Sequence, residues 1–112
     1  MIRKSAVDLD YPEVSMEGAV GVRMGILLGP DDGAPNFVLR KFVLEPGGRT
    51  PFHSHPWEHE IYVLRGNGEA RSAGGTVPMN PGTVILAESG EMHGFSNSGE
   101  GPLEFLCIVP RS

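Results

Sequence analysis

Sixteen glycines and ten prolines divide the 112 residues into short apolar runs, and no stretch of about ten residues carries a helical period. The runs are VGVRMGILLG (20–29), NFVLRKFVLE (36–45), EIYVLRG (60–66), GEARSAG (68–74), GTVILAE (82–88), EMHGFSN (91–97) and LEFLCIVP (103–110). Their spacing is that of an antiparallel sandwich or barrel, so the expected fold class is all-β. Glycine and proline fall between the runs rather than in tracts and mark turns. Gly66-Asn67-Gly68 can supply positive φ, which predicts that 60–66 folds back on 68–74 as a hairpin. Pro81-Gly82 introduces the next strand. Residues 1–19 are weakly patterned and read as an arm or an edge strand. The length suits one domain, 1–112, with one core.

The formal net charge of −5 argues against nucleic acid or an anionic membrane as a partner, because both reward clustered Lys and Arg. MIRKSAVDLDYPEV acquires acids before any apolar run, so no secretory leader is expected there. No run approaches the length of a membrane helix. A single cysteine, Cys107, has no internal partner and sits in LEFLCIVP, which reads as a buried reduced thiol in a cytoplasmic protein.

HSHPWEHE (53–60) holds three of the four histidines, and the fourth, His93, lies in GEMHGFSN. Alternate residues of a strand share a face, so His53 and His55 point the same way. Pro56 keeps His55 extended, the Pro56-Trp57 step can bend the chain, and His59 returns with matching parity. Glu58 and Glu60 have the wrong parity to replace it. His93 must come from another strand, and a closed barrel brings distant strands face to face, where four imidazoles can converge on one cation.

These residues resemble the cupins. Gly47, His53, His55 and Gly66 match the first cupin motif, with His59 where that motif has glutamate; Gly82, Gly90, His93 and Asn97 match the second, with Glu88 where proline is usual. The motifs span 47–66 and 82–97. The resemblance implies a double-stranded β-helix, or jelly-roll, barrel. It is closest in pattern to small single-domain cupins that bind manganese through four histidines. It therefore implies one divalent metal per chain held by His53, His55, His59 and His93, with manganese first, iron second, and nickel or zinc as alternatives. Four neutral imidazoles leave the ion's full charge, which favours Lewis acidity, tight anion binding and resistance to oxidation. A tetrahedral zinc site would be closed and structural, whereas an octahedral ion keeps adjacent open positions, and the resemblance implies the second.

Around such a site, Arg40 would be an anion-binding donor if Val38, Arg40 and Phe42 face inward, and a surface residue if Phe37, Leu39 and Val43 do. Phe95 shares the face of His93, and Phe105 shares that of Cys107, so these three form the expected pocket wall; Trp57 is a lid or a subunit contact. Tyr62 and Leu64 face away from the ligands and suit a homodimer interface. Glu45, Glu88 and Glu91 read as solvated or supporting groups. By resemblance the chain is expected to be a metal-dependent enzyme acting on a small oxygen-bearing molecule, with oxidative, dioxygenase-type chemistry ahead of isomerase or lyase chemistry. A non-catalytic ligand-binding or sensing role, and a purely structural metal, are the alternatives.

Overall fold

The computed structural model describes residues 1–111. Eight strands run in chain order: β1 (Val20–Leu28), β2 (Phe37–Arg49), β3 (His59–Arg65), β4 (Gly68–Ser72), β5 (Gly75–Met79), β6 (Val84–Ala87), β7 (His93–Asn97) and β8 (Leu103–Pro110). Two three-residue 3₁₀ turns, Ala6–Asp8 and Pro30–Asp32, are the only helical turns among the described residues. Among the described residues no helix is long and apolar enough to cross a membrane. The strands form one antiparallel sheet in the order β5-β4-β7-β2-β8-β3-β6, with β1 on the other edge of β2, and the sheet curls into the expected all-β jelly-roll barrel.

The curl follows from the length of β2. Its first part pairs with β1 on one side and β8 on the other, while its last residue, Arg49, pairs with Ser96 of β7. One strand thus belongs to both walls of the barrel. The expected run ended at residue 45; the strand continues through Pro46-Gly47-Gly48 because a shift in register, at the positive-φ Gly21, lets Val20 pair with Arg49.

Period-two patterning sets the core. On β3, His59, Ile61 and Val63 point in and Tyr62 and Leu64 point out; on β8, Leu103, Phe105, Cys107 and Val109 point in. Each fully buried side chain of this size contributes about 1.5–3 kcal/mol. Phe42 and Phe105 pair across β2 and β8 and stack at 5.2 Å. Arg40 lies on the inward face with Val38 and Phe42, while Phe37 is 68% exposed, which decides between the two readings of that strand.

The hairpin expected between 60–66 and 68–74 does not form. β3 pairs with β6 and β8, and β4 pairs with β5 and β7, so the chain crosses between walls at Gly66. Gly66 has φ +88°, and a Cβ there would lie 2.2 Å from the carbonyl oxygen of Pro102. The glycine is needed for close passage rather than for reversal. The reversal occurs at Ala73-Gly74, where Ser72 pairs with Gly75, so 68–74 is the first half of a hairpin whose second half, β5, was not foreseen. Pro81-Gly82 forms the expected turn into β6, with Thr83 N–H donating to Asn80 O at 2.9 Å. Of the two readings of residues 1–19, the edge holds for a short piece: Glu13 pairs with Arg23, and Val14 N–H donates to Val22 O at 2.8 Å.

Candidate metal centre

Backbone pairing brings the histidines together. Beyond β2 the chain stays beside β7: Thr50 N–H donates to Phe95 O at 2.8 Å, and His53 and His93 exchange N–H···O bonds of 3.0 and 2.8 Å. Gly94 permits this approach, since a Cβ there would lie 3.2 Å from Pro51 O. Directly opposed residues present their side chains on one face. His55 follows two residues later on the same face, held by Gly90 N–H donating to its carbonyl at 2.7 Å. Its ring stacks on Trp57 at 4.6 Å with an interplanar angle of 3°.

His53, His55 and His93 each offer a nitrogen within 4.8 Å of the others and could hold a metal ion. His59, the first residue of β3, stands just outside this trio, its ring 4.9 Å from that of His55 and 4.8 Å from that of His93. Its Nδ1 lies 3.1 Å from Cys107 Sγ and 3.3 Å from Arg40 Nη2. Its Nε2 is buried without a hydrogen-bond partner. A buried imidazole nitrogen facing no partner fits a position meant for a cation. The donor set therefore fits a divalent metal. Glu58 and Glu60 are exposed and absent from the trio, in keeping with their parity.

Burial favours the neutral, metal-ligating form of His53, His55 and His59. His93 Nδ1–H donates to Glu91 O at 2.9 Å, because a carbonyl only accepts; that fixes the tautomer and leaves Nε2 with its lone pair free. Burial holds His53 and His55 below the ordinary imidazole range, with neighbouring histidines adding to it. His59 is pushed down to about 3, first by burial and then by the Arg40 charge. Burial raises the Cys107 thiol, against the opposing pull of Arg40.

The histidines open on a cavity of about 270 Å³. All five expected pocket residues, Arg40, Trp57, Phe95, Phe105 and Cys107, line it. Val14, Met16 and Ala19 also line it and were missed, because a segment this short and polar shows no period that would aim its apolar residues inward. No carboxylate lines the cavity among the described residues; Glu45 and Glu88 are exposed, and Glu91 acts through its backbone carbonyl. Asn97 serves the fold: its Nδ2 donates to Leu44 O and Gly101 O at 2.9 and 2.8 Å, and its Oδ1 accepts from Gly99 N–H.

The Cupin_2 family, described as a cupin domain, matches residues 40–109, more than half of the chain. An oxalate-binding protein of Thermotoga maritima is 40% identical over 73 residues, 64% of this chain and 60% of that protein. An (R)-mandelonitrile lyase of Granulicella tundricola is 42% identical over 68 residues, 60% of this chain and 52% of the lyase. The matched stretches thus span little more than half the length of these curated relatives. Among solved structures, a polyketide cyclase from Streptomyces resistomycificus superposes with a TM-score of 0.92 at 38% identity, covering 98% of this chain and 79% of the cyclase.

Proposed function

Because the chain belongs to the Cupin_2 family of cupin domains, we propose that His53, His55, His59 and His93 hold one divalent cation, manganese first and iron second, beside a pocket for a small oxygen-bearing organic molecule. The observation that carries this reading is the buried, unpartnered Nε2 of His59 beside a trio already within 4.8 Å. Bound there, the ion supplies Lewis acidity, undiminished by any charged ligand. The chain does the rest. Arg40 places a guanidinium, with its Nε unpartnered, where an anionic oxygen of the ligand would lie. Phe42, Phe95, Phe105 and the N-terminal residues Val14 and Met16 line the space that an apolar body would occupy. Among the described residues, no carboxylate of the lining is placed to move a proton.

The favoured chemistry is binding and Lewis-acid activation of a chelating carboxylate or enolisable carbonyl, of lyase or cyclase type. Relatives named for oxalate binding, mandelonitrile lysis and polyketide cyclisation support it. The oxidative, dioxygenase-type reaction expected from the sequence is the second reading, favoured by the apolar lining that would shelter a reactive intermediate. Metal analysis with electron paramagnetic resonance on manganese-supplied protein tests the common core. The expectation is about one manganese per chain and a spectrum altered by oxalate. Stoichiometric zinc indifferent to manganese supply and oxalate would overturn it in favour of a structural metal. Oxygen uptake with enolisable substrates would move the assignment to the oxidative reading.

A homodimer is proposed through the outer sheet face, where Tyr62, Leu64, Val84 and Leu86 are exposed together. Light scattering after gel filtration should give twice the chain mass; a monomer at micromolar concentration rejects it. The single buried thiol suits the proposed cytoplasmic setting.

A further inference from the structure

We infer that Cys107 is the positioning residue for His59: its sulfur accepts the Nδ1–H hydrogen bond that leaves Nε2 of His59 with a free lone pair for the metal. The inference rests on the proposed metal reading and concerns the one ligand that the trio does not already contain.

Three atoms form a triangle in the wall of the pocket. Arg40 Nη2 lies 3.0 Å from Cys107 Sγ and 3.3 Å from His59 Nδ1, and His59 Nδ1 lies 3.1 Å from Cys107 Sγ. Guanidinium is a donor only, so the proton on His59 decides how the triangle is wired. If Arg40 donated to Nδ1, the imidazole hydrogen would sit on Nε2, buried and facing no acceptor. If Nδ1 carries the hydrogen, it donates to sulfur, Arg40 donates to the same sulfur, and no N–H of the ring is stranded. Distances favour the second wiring, because sulfur is the larger acceptor and ordinarily holds donors farther away than nitrogen does, yet it is the atom Arg40 approaches more closely.

The arrangement matches that of the neighbouring ligand. His93 Nδ1–H donates to Glu91 O, and its other nitrogen belongs to the trio. A carbonyl serves His93 and a side chain serves His59. β2 and β3, on either side of β8, place that side chain by register, since Arg40 and Ile61 both pair with Cys107 across the sheet. Cys107 is buried among apolar side chains, so packing fixes the sulfur.

The test uses the full chain with manganese(II) as probe, reading affinity by titration and the number of coordinated imidazole nitrogens by pulsed electron paramagnetic resonance. Wild type should show four nitrogens. Cys107→Ala should weaken binding by about 10- to 100-fold, the range for loss of a supporting partner, and drop the count to three. Cys107→Ser, which keeps an acceptor, should retain four nitrogens and recover most of the affinity. In a His59→Ala background, Cys107→Ala should add no further loss. Four nitrogens and wild-type affinity in Cys107→Ala overturn the inference, as does an additive loss in the double variant. A fall in metal-free Tm with unchanged nitrogen count also overturns it, since that marks packing alone. Failure of wild type to bind manganese would instead reject the metal reading, and His59→Ala with unchanged affinity would reject its fourth ligand.

Discussion

The barrel interior has two regions built on the same strands. Around Leu44, Val63, Met79 and Leu103, each 0% exposed, it is dry and closed, and Asn97 spends its polar atoms on backbone groups. One or two steps along the same faces, Leu44 gives way to Phe42 and Arg40, Val63 to His59, Asn97 to Phe95 and His93, and Leu103 to Phe105 and Cys107, and the interior opens into the imidazole-lined cavity. The β2–β8 ladder continues unbroken through both regions, with Leu44 opposite Leu103 and Arg40 opposite Cys107. The dry region supplies packing and the ladders supply geometry, so the open region can hold four imidazoles, a guanidinium and a thiol at some cost in stability. On β2, β3, β7 and β8, site and scaffold differ by two to four residues of position, and His53 and His55 are added from the segment that follows β2.

The strongest way to separate the regions is to remove a trio histidine. His93→Ala should lower manganese affinity by more than about 100-fold, beyond what loss of a merely supporting partner produces, while metal-free Tm changes little. Retained stoichiometric metal in dialysed protein would show that the trio is not the site. The reciprocal change is Leu103→Ala in the dry region. It should destabilise the chain by about 2–5 kcal/mol in denaturant titration, with the folded fraction still binding one metal. If metal affinity fell in proportion to stability, the two regions would be one cooperative unit.

Asn97→Ala comes next, at about 1–3 kcal/mol, because it leaves Leu44 O, Gly101 O and Gly99 N–H without their partner. A loss under half of that would mean that water replaces the amide.

A last contrast is a pH dependence that belongs to the open region. His53, His55 and His59 have folded pKa values below the ordinary 6.5, that of His59 near 3. Below 6.5 the unfolded chain binds protons that the folded chain refuses, so metal-free stability is full above that pH and falls as pH drops toward 3. His59→Gln should flatten this slope in Tm measured across the window. An unchanged slope would assign the dependence to His53 and His55 or to the carboxylates.

Much of the site was legible in the sequence because its signal is local. His53 and His55 share a face by the two-residue period of extended chain, Pro56-Trp57 bends the backbone, and His59 returns with matching parity. Gly94, beside His93, marks a position where backbone passes close to backbone, whereas Gly47 and Gly90 supply positive φ. The strands were legible for the same reason, as apolar alternation bounded by Gly and Pro, and β8 was found at its observed limits. The short β5, with exposed Val77 and an internal proline, carried too little alternation to be seen.

The sequence by itself determined that this chain is all-β, which residues alternate, and which histidines can act together, because period, turn chemistry and spacing act over a few residues. Only the tertiary structure decided partners. Gly66 could equally have reversed the chain or let it pass Pro102; pairing of β3 with β6 and β8, and of β4 with β5 and β7, selected passage. Arg40 could have faced either way until pairing with Cys107 aimed it inward. The triangle of Arg40, His59 and Cys107 joins residues 19 and 67 positions apart, and no local rule reaches that far. Long-range neighbours are chosen by which apolar faces close on each other, a property of the whole barrel.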